Sequence, residues 1–214
     1  QIGSDLVVFS LTVSPYAAGA GGTMTVSDTT RNKGGGAAGS STTKFYLSTN
    51  STLDVSDVLL GSRAVPAVAA GATSAGSTAL TIPAGTATGN HYLIAQVDGD
   101  NAVAETQEGN NTTARSIQIG SDLVMSALSA SPVASGPGLA VTVSDTTRNQ
   151  GGGAAGPSTT SFYLSTNNTL DGGDVLLGSR AVPALAAGAT SAGTTSVTIP
   201  PGTTTGAYYV IAQA

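Results

Sequence analysis

One long stretch of the sequence returns almost unchanged, and this repeat limits the architecture more than any other feature. Residues 1–97 align with residues 118–214 at a constant offset of 117 without a gap, and 70 of the 97 aligned positions are identical. A repeat of this length is a whole domain, whereas the coils of solenoids repeat about every 20–50 residues. The sequence therefore predicts two tandem domains, residues 1–119 and residues 120–214.

Each repeat is predicted to be built of strands. Short segments rich in Val, Thr, Leu, Ile and Tyr alternate with Gly, Pro, Asn and Asp, and no segment keeps the apolar spacing of a helix. About seven such strands in about 100 residues are typical of an Ig-like β-sandwich, so we predict an all-β fold of two tandem sandwiches. The predicted strands of the first repeat are Asp5–Val13, Thr23–Arg31, Thr42–Thr49, Val58–Val65, Ser77–Ile82, His91–Val97 and Thr112–Ile119.

The second repeat contains no residues that correspond to Asp98–Ile117, so we expect it to lack its last strand. The strand before it would then be an apolar edge, and bare edges promote aggregation. Three explanations are open at this point: an excerpt of a longer array, a disordered tail, or a cover from another subunit. Because Ala207–Ala214 carries no charge, head-to-tail self-assembly through an intermolecular strand stands beside the excerpt as a working hypothesis.

The only histidine, His91, is predicted to be structural. Tyr208 takes its place in the second repeat, whereas a catalytic histidine would be expected in both copies of a duplicated domain. No Ser or Thr has an evident base beside it, and we predict that the protein is not an enzyme. In His91–Val97 the odd positions form the better core face. In the second repeat the same face consists of Tyr208, Val210, Ala212 and Ala214.

Two local features of the first repeat are also predicted to be structural. By strict alternation Asp28, like Asp145 in the second repeat, would point inward, where an unpaired carboxylate is costly, so we expect a bulge or a strand end there. A pairing with Arg31 or Arg148 is left open. Gly34–Gly36 is expected to form a flexible turn rather than a phosphate-binding loop, because no helix follows it.

The composition excludes several classes of protein. Lys and Arg total 7 and are scattered, and the formal net charge is -5, so no surface is predicted to follow the backbone of a nucleic acid. No apolar run approaches membrane-spanning length. Cysteine is absent, which removes disulfides, thiol nucleophiles and thiolate metal sites. Together with the abundant Ser, Thr and Gly, this composition favours an extracellular or bacterial cell-surface location.

Several ordered motifs resemble one known family. The segments "DLVV", "TTRNKGGGAAG", "KFYLSTNSTLDVSDVLLGSRAVPAVAAG" and "IPAGTATGNHYLIAQVDGDNAVAETQEGNN" are similar to the CARDB domain, the cell-adhesion-related domain found in bacteria. The resemblance covers residues 4–119 and 121–214. It implies Ig-like sandwiches in secreted or surface proteins, often in tandem, and it implies no enzymatic activity.

Two acidic loops are candidate calcium sites. The first holds Asn50, Asp54 and Asp57, and its acids return as Asp171 and Asp174. Calcium takes oxygen ligands from Asp, Asn, Glu and backbone carbonyls in loops of this kind. The alternative is that exposed acids and Asx turns simply shape hairpins. The second loop is denser and contains Asp98, Asp100, Asn101, Glu105 and Glu108.

The topology of an Ig-like sandwich predicts where these loops lie. The loop with Asp54 would face the following domain and the loop with Asp98 the preceding one. Asp122 lies close to the joint between the repeats, so a cation shared there with Asp54 and Asp57 would stiffen an array.

Sequons are a further candidate for modification, since N-linked sugar requires Asn-x-Ser/Thr. The acceptors are Asn50, Asn110, Asn111 and Asn167. O-linked sugar on Ser and Thr is equally open.

Two functions compete. The first is a non-enzymatic structural or adhesive module in an extracellular array or fibre, with surface glycans among its partners. The second is a carbohydrate-binding accessory module of a secreted hydrolase. Sugar sites favour aromatic platforms, and here Trp is absent and aromatic residues are 4%, which favours the first function.

Overall fold

The computed structural model describes residues 2–214. The chain forms two compact units, Gln1–Gly120 and Ser121–Ala214. Within residues 2–214 the only helical element is a three-residue 3-10 turn, Glu108–Asn110, and no helix there is long and apolar enough to cross a membrane. The prediction of an all-β fold without long helices is confirmed.

The first unit contains one three-stranded and one five-stranded sheet. The strand orders are β1-β3-β6 and β2-β8-β7-β4-β5, and all pairs are antiparallel except β2 with β8. The predicted bounds of β5 and β8 are confirmed, whereas β6 begins at Thr73 rather than Ser77, and β2 was not predicted. The strands are β1 (Leu6–Ser14), β2 (Ala17–Ala18), β3 (Thr23–Asn32), β4 (Ser41–Ser48), β5 (Val58–Val65), β6 (Thr73–Thr81), β7 (Gly89–Gln96) and β8 (Thr112–Ile119).

The core of the first unit is formed by the inner faces of both sheets. The period of two along each strand sends alternate side chains into this layer. The predicted core face of β7 is confirmed, since His91, Leu93, Ala95 and Val97 are all buried. Leu11, Met24, Phe45, Leu47, Leu80, Ile82, Leu93, Ile117 and Ile119 belong to one cluster. Burial of this apolar surface supplies the main favourable term in folding.

The second unit repeats this plan with six strands. Its sheets have the orders β9-β10-β13 and β12-β11-β14. The described residues 121–214 contain no counterpart of β2 or β8, so β14 is an edge strand, as predicted from the sequence. The strands are β9 (Leu123–Ser131), β10 (Ala140–Asn149), β11 (Ser158–Ser165), β12 (Val175–Val182), β13 (Thr190–Thr198) and β14 (Tyr209–Gln213).

The expectation of a bulge or strand end at Asp28 is wrong. Asp28 lies in the middle of β3, points inward and is 2% exposed. Its carboxylate forms an ion pair with Arg63 of β5, and the second unit repeats this pair between Asp145 and Arg180. Arg31 is three residues further along β3 and therefore on its other face, where its guanidinium lies 5.3 Å from the ring centroid of Phe9.

The glycine-rich loop packs closely against the residues that precede β1. Gly36 donates its backbone N–H to the carbonyl of Gly3 at 2.9 Å, and a Cβ on Gly34 would overlap the backbone of Gly3 and its neighbours. Asn32 is fully buried: its Oδ1 accepts from the backbone N–H of Asp5, and its Nδ2 donates to the carbonyl of Val68. The glycines are thus required for close approach of two backbone segments.

Candidate functional site

The first acidic loop joins β4 to β5, and its carboxylates are engaged in shaping the turn. Asp54 Oδ1 accepts from the backbone N–H of Ser56 at 2.8 Å and from its hydroxyl at 2.6 Å. Asp54 Oδ2 accepts from Asn50 Nδ2 at 3.4 Å, and Asp57 Oδ2 accepts from the backbone N–H of Asp54 at 2.9 Å. The hydrogen bonds from Ser56 and Asn50 hold the pKa of Asp54 below its usual value.

The same turn recurs in the second unit. Asp171 accepts from the backbone N–H of Gly173 and from Asn167 Nδ2, and these bonds lower the pKa of Asp171. Asp174 Oδ2 accepts from the backbone N–H of Asp171 at 2.9 Å. Two residues after Asp54 or Asp171 the turn requires only a backbone N–H, so Ser56 of the first unit can be replaced by Gly173 in the second while both acids remain. This explains why the acids recur and their neighbours do not.

The second acidic loop, residues 98–111, lies at the other end of the first unit. Ser48 pairs with Tyr92 and Gly89 with Ile119, so the turn of Asp54 lies where β8 ends. Loop 98–111 instead contacts the start of β1, since Ser4 donates its hydroxyl to the carbonyl of Ala104 at 3.0 Å. The two candidate loops are therefore not brought together within this unit.

Asp98 and Asp100 are both satisfied within this loop. The buried Asp98 accepts from the backbone N–H groups of Ala102 at 3.0 Å and Val103 at 2.9 Å. Asp100 pairs with Lys44 Nζ at 2.6 Å, and hydrogen bonds from Lys44 and then Thr42 lower the pKa of Asp100. Asn101, at φ +54, is exposed and closes a turn on the carbonyl of Asp98.

Lys44 was missed in the sequence analysis, although a signal was present. It is the only position at which β4 and its counterpart β11 differ, and Ser161 replaces it in the second unit. Lys44 also donates to the carbonyl of Gly99 at 2.9 Å. Lys44 thus holds loop 98–111 against β4 through Gly99 and Asp100.

Glu105 of the same loop has a strongly raised pKa. Its Oε1 accepts from the backbone N–H of Leu6 at 3.2 Å, and its own N–H donates to Glu108 Oε1 at 3.1 Å. Burial raises the pKa of Glu105 to about 7, and the charges of Glu108 and Asp98 act in the same direction. A hydrogen bond from the Asn111 side chain opposes this shift.

Three buried oxygen acceptors of loop 98–111 have no hydrogen-bond donor: Glu105 Oε2, Asn110 Oδ1 and Asn111 Oδ1. Asn110 Nδ2 donates to Asp5 Oδ1 at 2.9 Å, which holds its amide in place, and Asn111 is only 6% exposed. Unsatisfied acceptors inside a folded loop are costly, so this arrangement favours a positive charge or a proton. Across residues 2–214, however, no three acidic or histidine side chains converge in positions that hold a metal.

The four sequon asparagines differ in exposure. Asn50 and Asn167 are exposed in the two equivalent turns, and each accepts a backbone N–H through Oδ1 at 2.7 Å. Asn110 is half-buried, and Asn111 is buried. A sugar at Asn111 would require loop 98–111 to open, so the two turn positions are the more accessible ones.

His91 and Tyr208 make the same contact with different chemistry. His91 Nε2 lies 2.9 Å from the carbonyl of Ala87, and the Tyr208 hydroxyl donates to the carbonyl of Thr204 at 3.1 Å. Each ring thus bonds to the carbonyl four residues before it. The shared requirement is a ring that reaches this carbonyl, which agrees with a structural role for His91.

A cavity of about 640 Å³ with a mixed apolar and polar lining lies in the second unit beside β14. The sequence predicted the bare edge but not this cavity, whose walls come from strands far apart in the chain. Its apolar lining includes Leu128, Val141, Leu164, Ile199 and Val210.

Comparison with known proteins finds one family whose sequence model matches both repeats. The sequence model of CARDB matches residues 3–115 and 120–214. A search of curated proteins finds no match. A CARDB domain from Pyrococcus furiosus, solved in complex with di-metal ions, is 20% identical, with 55% of this chain and 89% of that chain covered and a TM-score of 0.42.

Two further solved structures are similar to the chain. A domain of a protein assigned to the cell surface of Methanosarcina acetivorans is 21% identical, with 56% of this chain and 93% of that chain covered and a TM-score of 0.39. Red sea bream transglutaminase is 12% identical, with 89% of this chain and 27% of that chain covered and a TM-score of 0.44. These similarities concern the fold alone.

Proposed function

Since the chain belongs to the CARDB family, a family of non-catalytic Ig-like domains associated with the cell surface, we propose that it is a structural and adhesive module of an extracellular array or fibre. One observation carries this proposal: the two units share their scaffold and differ in their candidate chemistry. The pair of Asp28 with Arg63 and the turn of Asp54 both recur in the second unit. His91 does not recur, since Tyr208 replaces it in the second unit.

A duplicated scaffold suits a spacer. If the selected property were an active or binding site built on His91, the second copy would not retain its scaffold while Tyr208 replaces that histidine. If the property were length, stiffness and spacing, the buried pairs and turns are the residues that each copy needs. The chain would then self-associate or continue as part of a longer array at the cell surface.

Electron microscopy of the purified chain tests this proposal. We expect extended or fibrous particles. Dispersed compact particles, together with a clear saccharide on a glycan array, would replace the proposal with the carbohydrate-binding alternative. Three exposed aromatic rings, Phe9, Tyr16 and Tyr209, are then the residues to replace by Ala, because sugar rings stack on exposed aromatic faces.

We also propose that Glu105, Asn110 and Asn111 hold a calcium ion. The support is the trio of buried acceptor oxygens without donors, because carboxylate and amide oxygens are the ligands that calcium prefers. The other candidate acids fit less well. The carboxylates of Asp54, Asp57 and Asp98 already accept hydrogen bonds from backbone or side-chain donors. Asp100 is neutralised by Lys44.

A further inference from the structure

The two equivalent acidic turns differ in the residue that follows their first aspartate. Asp54 is followed by Val55, whereas Asp171 is followed by Gly172. Both aspartates are exposed, and each accepts a backbone N–H from the residue two positions later at 2.8 Å. The first unit is therefore a built-in comparison for chemistry that depends on the residue after the aspartate.

An Asp-Gly bond can rearrange without an enzyme. The backbone nitrogen of the glycine attacks Cγ of the aspartate and loses its proton, the carboxyl oxygen leaves as water, and a five-membered succinimide forms. Water then opens the ring at the main-chain carbonyl, so that the chain runs through Cβ as isoaspartate. Glycine favours the attack because it has no side chain beside the nitrogen and its backbone is free to adopt the required conformation. A stiff, β-branched valine hinders the attack.

The nitrogen of Gly172 is accessible in the second unit. Gly172 is exposed, its N–H has no acceptor within residues 2–214, and a Cβ placed on it would meet nothing within 4 Å. The carboxylate of Asp171 folds back over the following peptide, because its Oδ1 accepts from the N–H of Gly173 at 2.8 Å. The nucleophile and the carboxyl carbon are thus neighbours in an exposed turn.

The other Asp-Gly pair of the chain, Asp98 and Gly99, is held in place. Asp98 is 3% exposed, and its two carboxylate oxygens accept from the N–H groups of Ala102 at 3.0 Å and Val103 at 2.9 Å. The N–H of Gly99 donates to the carbonyl of Thr42 at 2.8 Å. A succinimide at this position would break all three hydrogen bonds inside a packed loop, which is costly.

We propose that Asp171 is a site of spontaneous isomerisation to isoaspartate, and that Asp54 and Asp98 are not. The added backbone methylene would separate Asp171 from Asp174, whose carboxylate accepts from the N–H of Asp171 and whose own N–H donates to its carbonyl. The turn between β11 and β12 then loses its closing bonds with age, while the equivalent turn between β4 and β5 keeps them. This chemistry is independent of the proposed array.

The rearrangement should be faster at pH 5 than at pH 8. The oxygen leaves as water only from a protonated carboxyl group, because oxide cannot leave from a carboxylate. Hydrogen bonds from the backbone N–H of Gly173 and then from Asn167 lower the pKa of Asp171, so little of the protonated form is present at neutral pH. Asp174, the other charged group of residues 167–174, bonds to the backbone N–H of Asp171. The turn therefore slows the reaction at neutral pH and permits it as the pH falls.

Incubation of the 214-residue chain at pH 5, followed by labelling with an isoaspartyl methyltransferase, tests the site. That enzyme methylates isoaspartate and leaves ordinary aspartate unmodified. Trypsin separates the three candidates, because Asp54, Asp98 and Asp171 lie in peptides 45–63, 64–115 and 149–180. Mass spectrometry should find the label in peptide 149–180, at no more than one methyl group per chain. An unincubated sample gives the baseline.

Two exchanges between the units are the matched variants. Gly172→Val copies the first unit and should remove the label, whereas Val55→Gly copies the second unit and should create a label in peptide 45–63. The incubation continues until a free peptide of residues 165–178 becomes labelled. Absence of label from peptide 149–180 of the folded chain at that time overturns the proposal, and so does a label that survives in Gly172→Val. Equal labelling of peptide 64–115 would show that burial does not protect Asp98, and the assignment to Asp171 alone would be wrong.

Discussion

Arg63 reaches across from β5 and holds the buried carboxylate of Asp28 with two parallel hydrogen bonds, Nε to Oδ1 at 2.8 Å and Nη2 to Oδ2 at 2.5 Å. The same guanidinium donates to the carbonyl of Ser74 at 3.3 Å and so ties a third strand to the pair. Gly76 leaves the space that the arginine occupies, since a Cβ there would overlap its side chain. The fork of arginine matches a carboxylate in a way that lysine does not.

Replacing Arg63 by Met should lower the free energy of unfolding of the first unit by about 3–5 kcal/mol, because it leaves the Asp28 carboxylate buried and unpaired. Urea unfolding measures this change. Arg180→Met should have the same effect on the second unit, and Lys33→Met at an exposed position is the control. An Arg63→Met effect as small as that of the control would show that the pair does not stabilise the fold.

Replacing Gly34 by Ala should destabilise the first unit by about 1–3 kcal/mol, as overpacking of a close contact does. The added Cβ would overlap the backbone of residues 3–5. Gly39→Ala is the matched control, since a Cβ at Gly39 meets nothing within 4 Å. Thermal unfolding of both variants compares them. Equal midpoints would mean that the loop yields without cost, as a flexible turn would.

In calcium-free buffer, Glu105 should make the first unit less stable as the pH rises from about 4.5 to about 7. The pKa of Glu105 is raised to about 7 in the folded state from 4.5, so the folded state keeps its proton over this range while the unfolded state loses it. Stability is then greatest below this range and reaches its lower plateau above it. Urea unfolding at several pH values measures the slope.

Glu105→Gln should flatten this slope and raise stability at pH 8. Asp100→Asn is the control, because the pKa of Asp100 is lowered and its effect lies at acid pH, where stability is lost as the pH falls. A slope between pH 4.5 and 7 that survives in Glu105→Gln would assign it to another group.

Calcium should raise the melting temperature of the first unit at pH 8 and have little effect at pH 5, where Glu105 is protonated. Binding to the folded state alone stabilises by about 2.7 kcal/mol at a hundredfold excess over the dissociation constant. Melting scans with calcium and with chelator measure the shift. Glu105→Gln should abolish it and Asp54→Asn in the other loop should not, whereas a midpoint unchanged by calcium removes the metal proposal.

Much of the fold could be predicted because its signals are local. β5 and β8 are rich in branched residues, and their predicted bounds match. β6 begins four residues before its predicted start. The prediction missed these residues because Ser74, Ala75 and Gly76 resemble a turn, whereas Gly76 is there because its lack of a side chain leaves space for Arg63. Strand pairing with β3, not propensity, makes this segment extended.

The candidate sites were less predictable because their partners are distant in sequence. The partner of Asp28 is 35 residues away, whereas the nearer Arg31 lies on the wrong face of β3. Glu105 bonds to Leu6, 99 residues before it. Composition can place acids in a loop, but only the packed loop shows which carboxylates already have donors and which buried oxygens do not.

The gap-free offset of 117 residues has a genetic consequence. Exchange between two gene copies at matching codons of the repeats adds or removes one domain and keeps every strand in register. A crossover can even fall between the codons for Asp28 and Arg63. Asp28 would then pair with the counterpart of Arg63, because the two partners are 35 residues apart in both repeats. Protein length can therefore evolve in whole-domain steps, without an intermediate that leaves a charge buried alone.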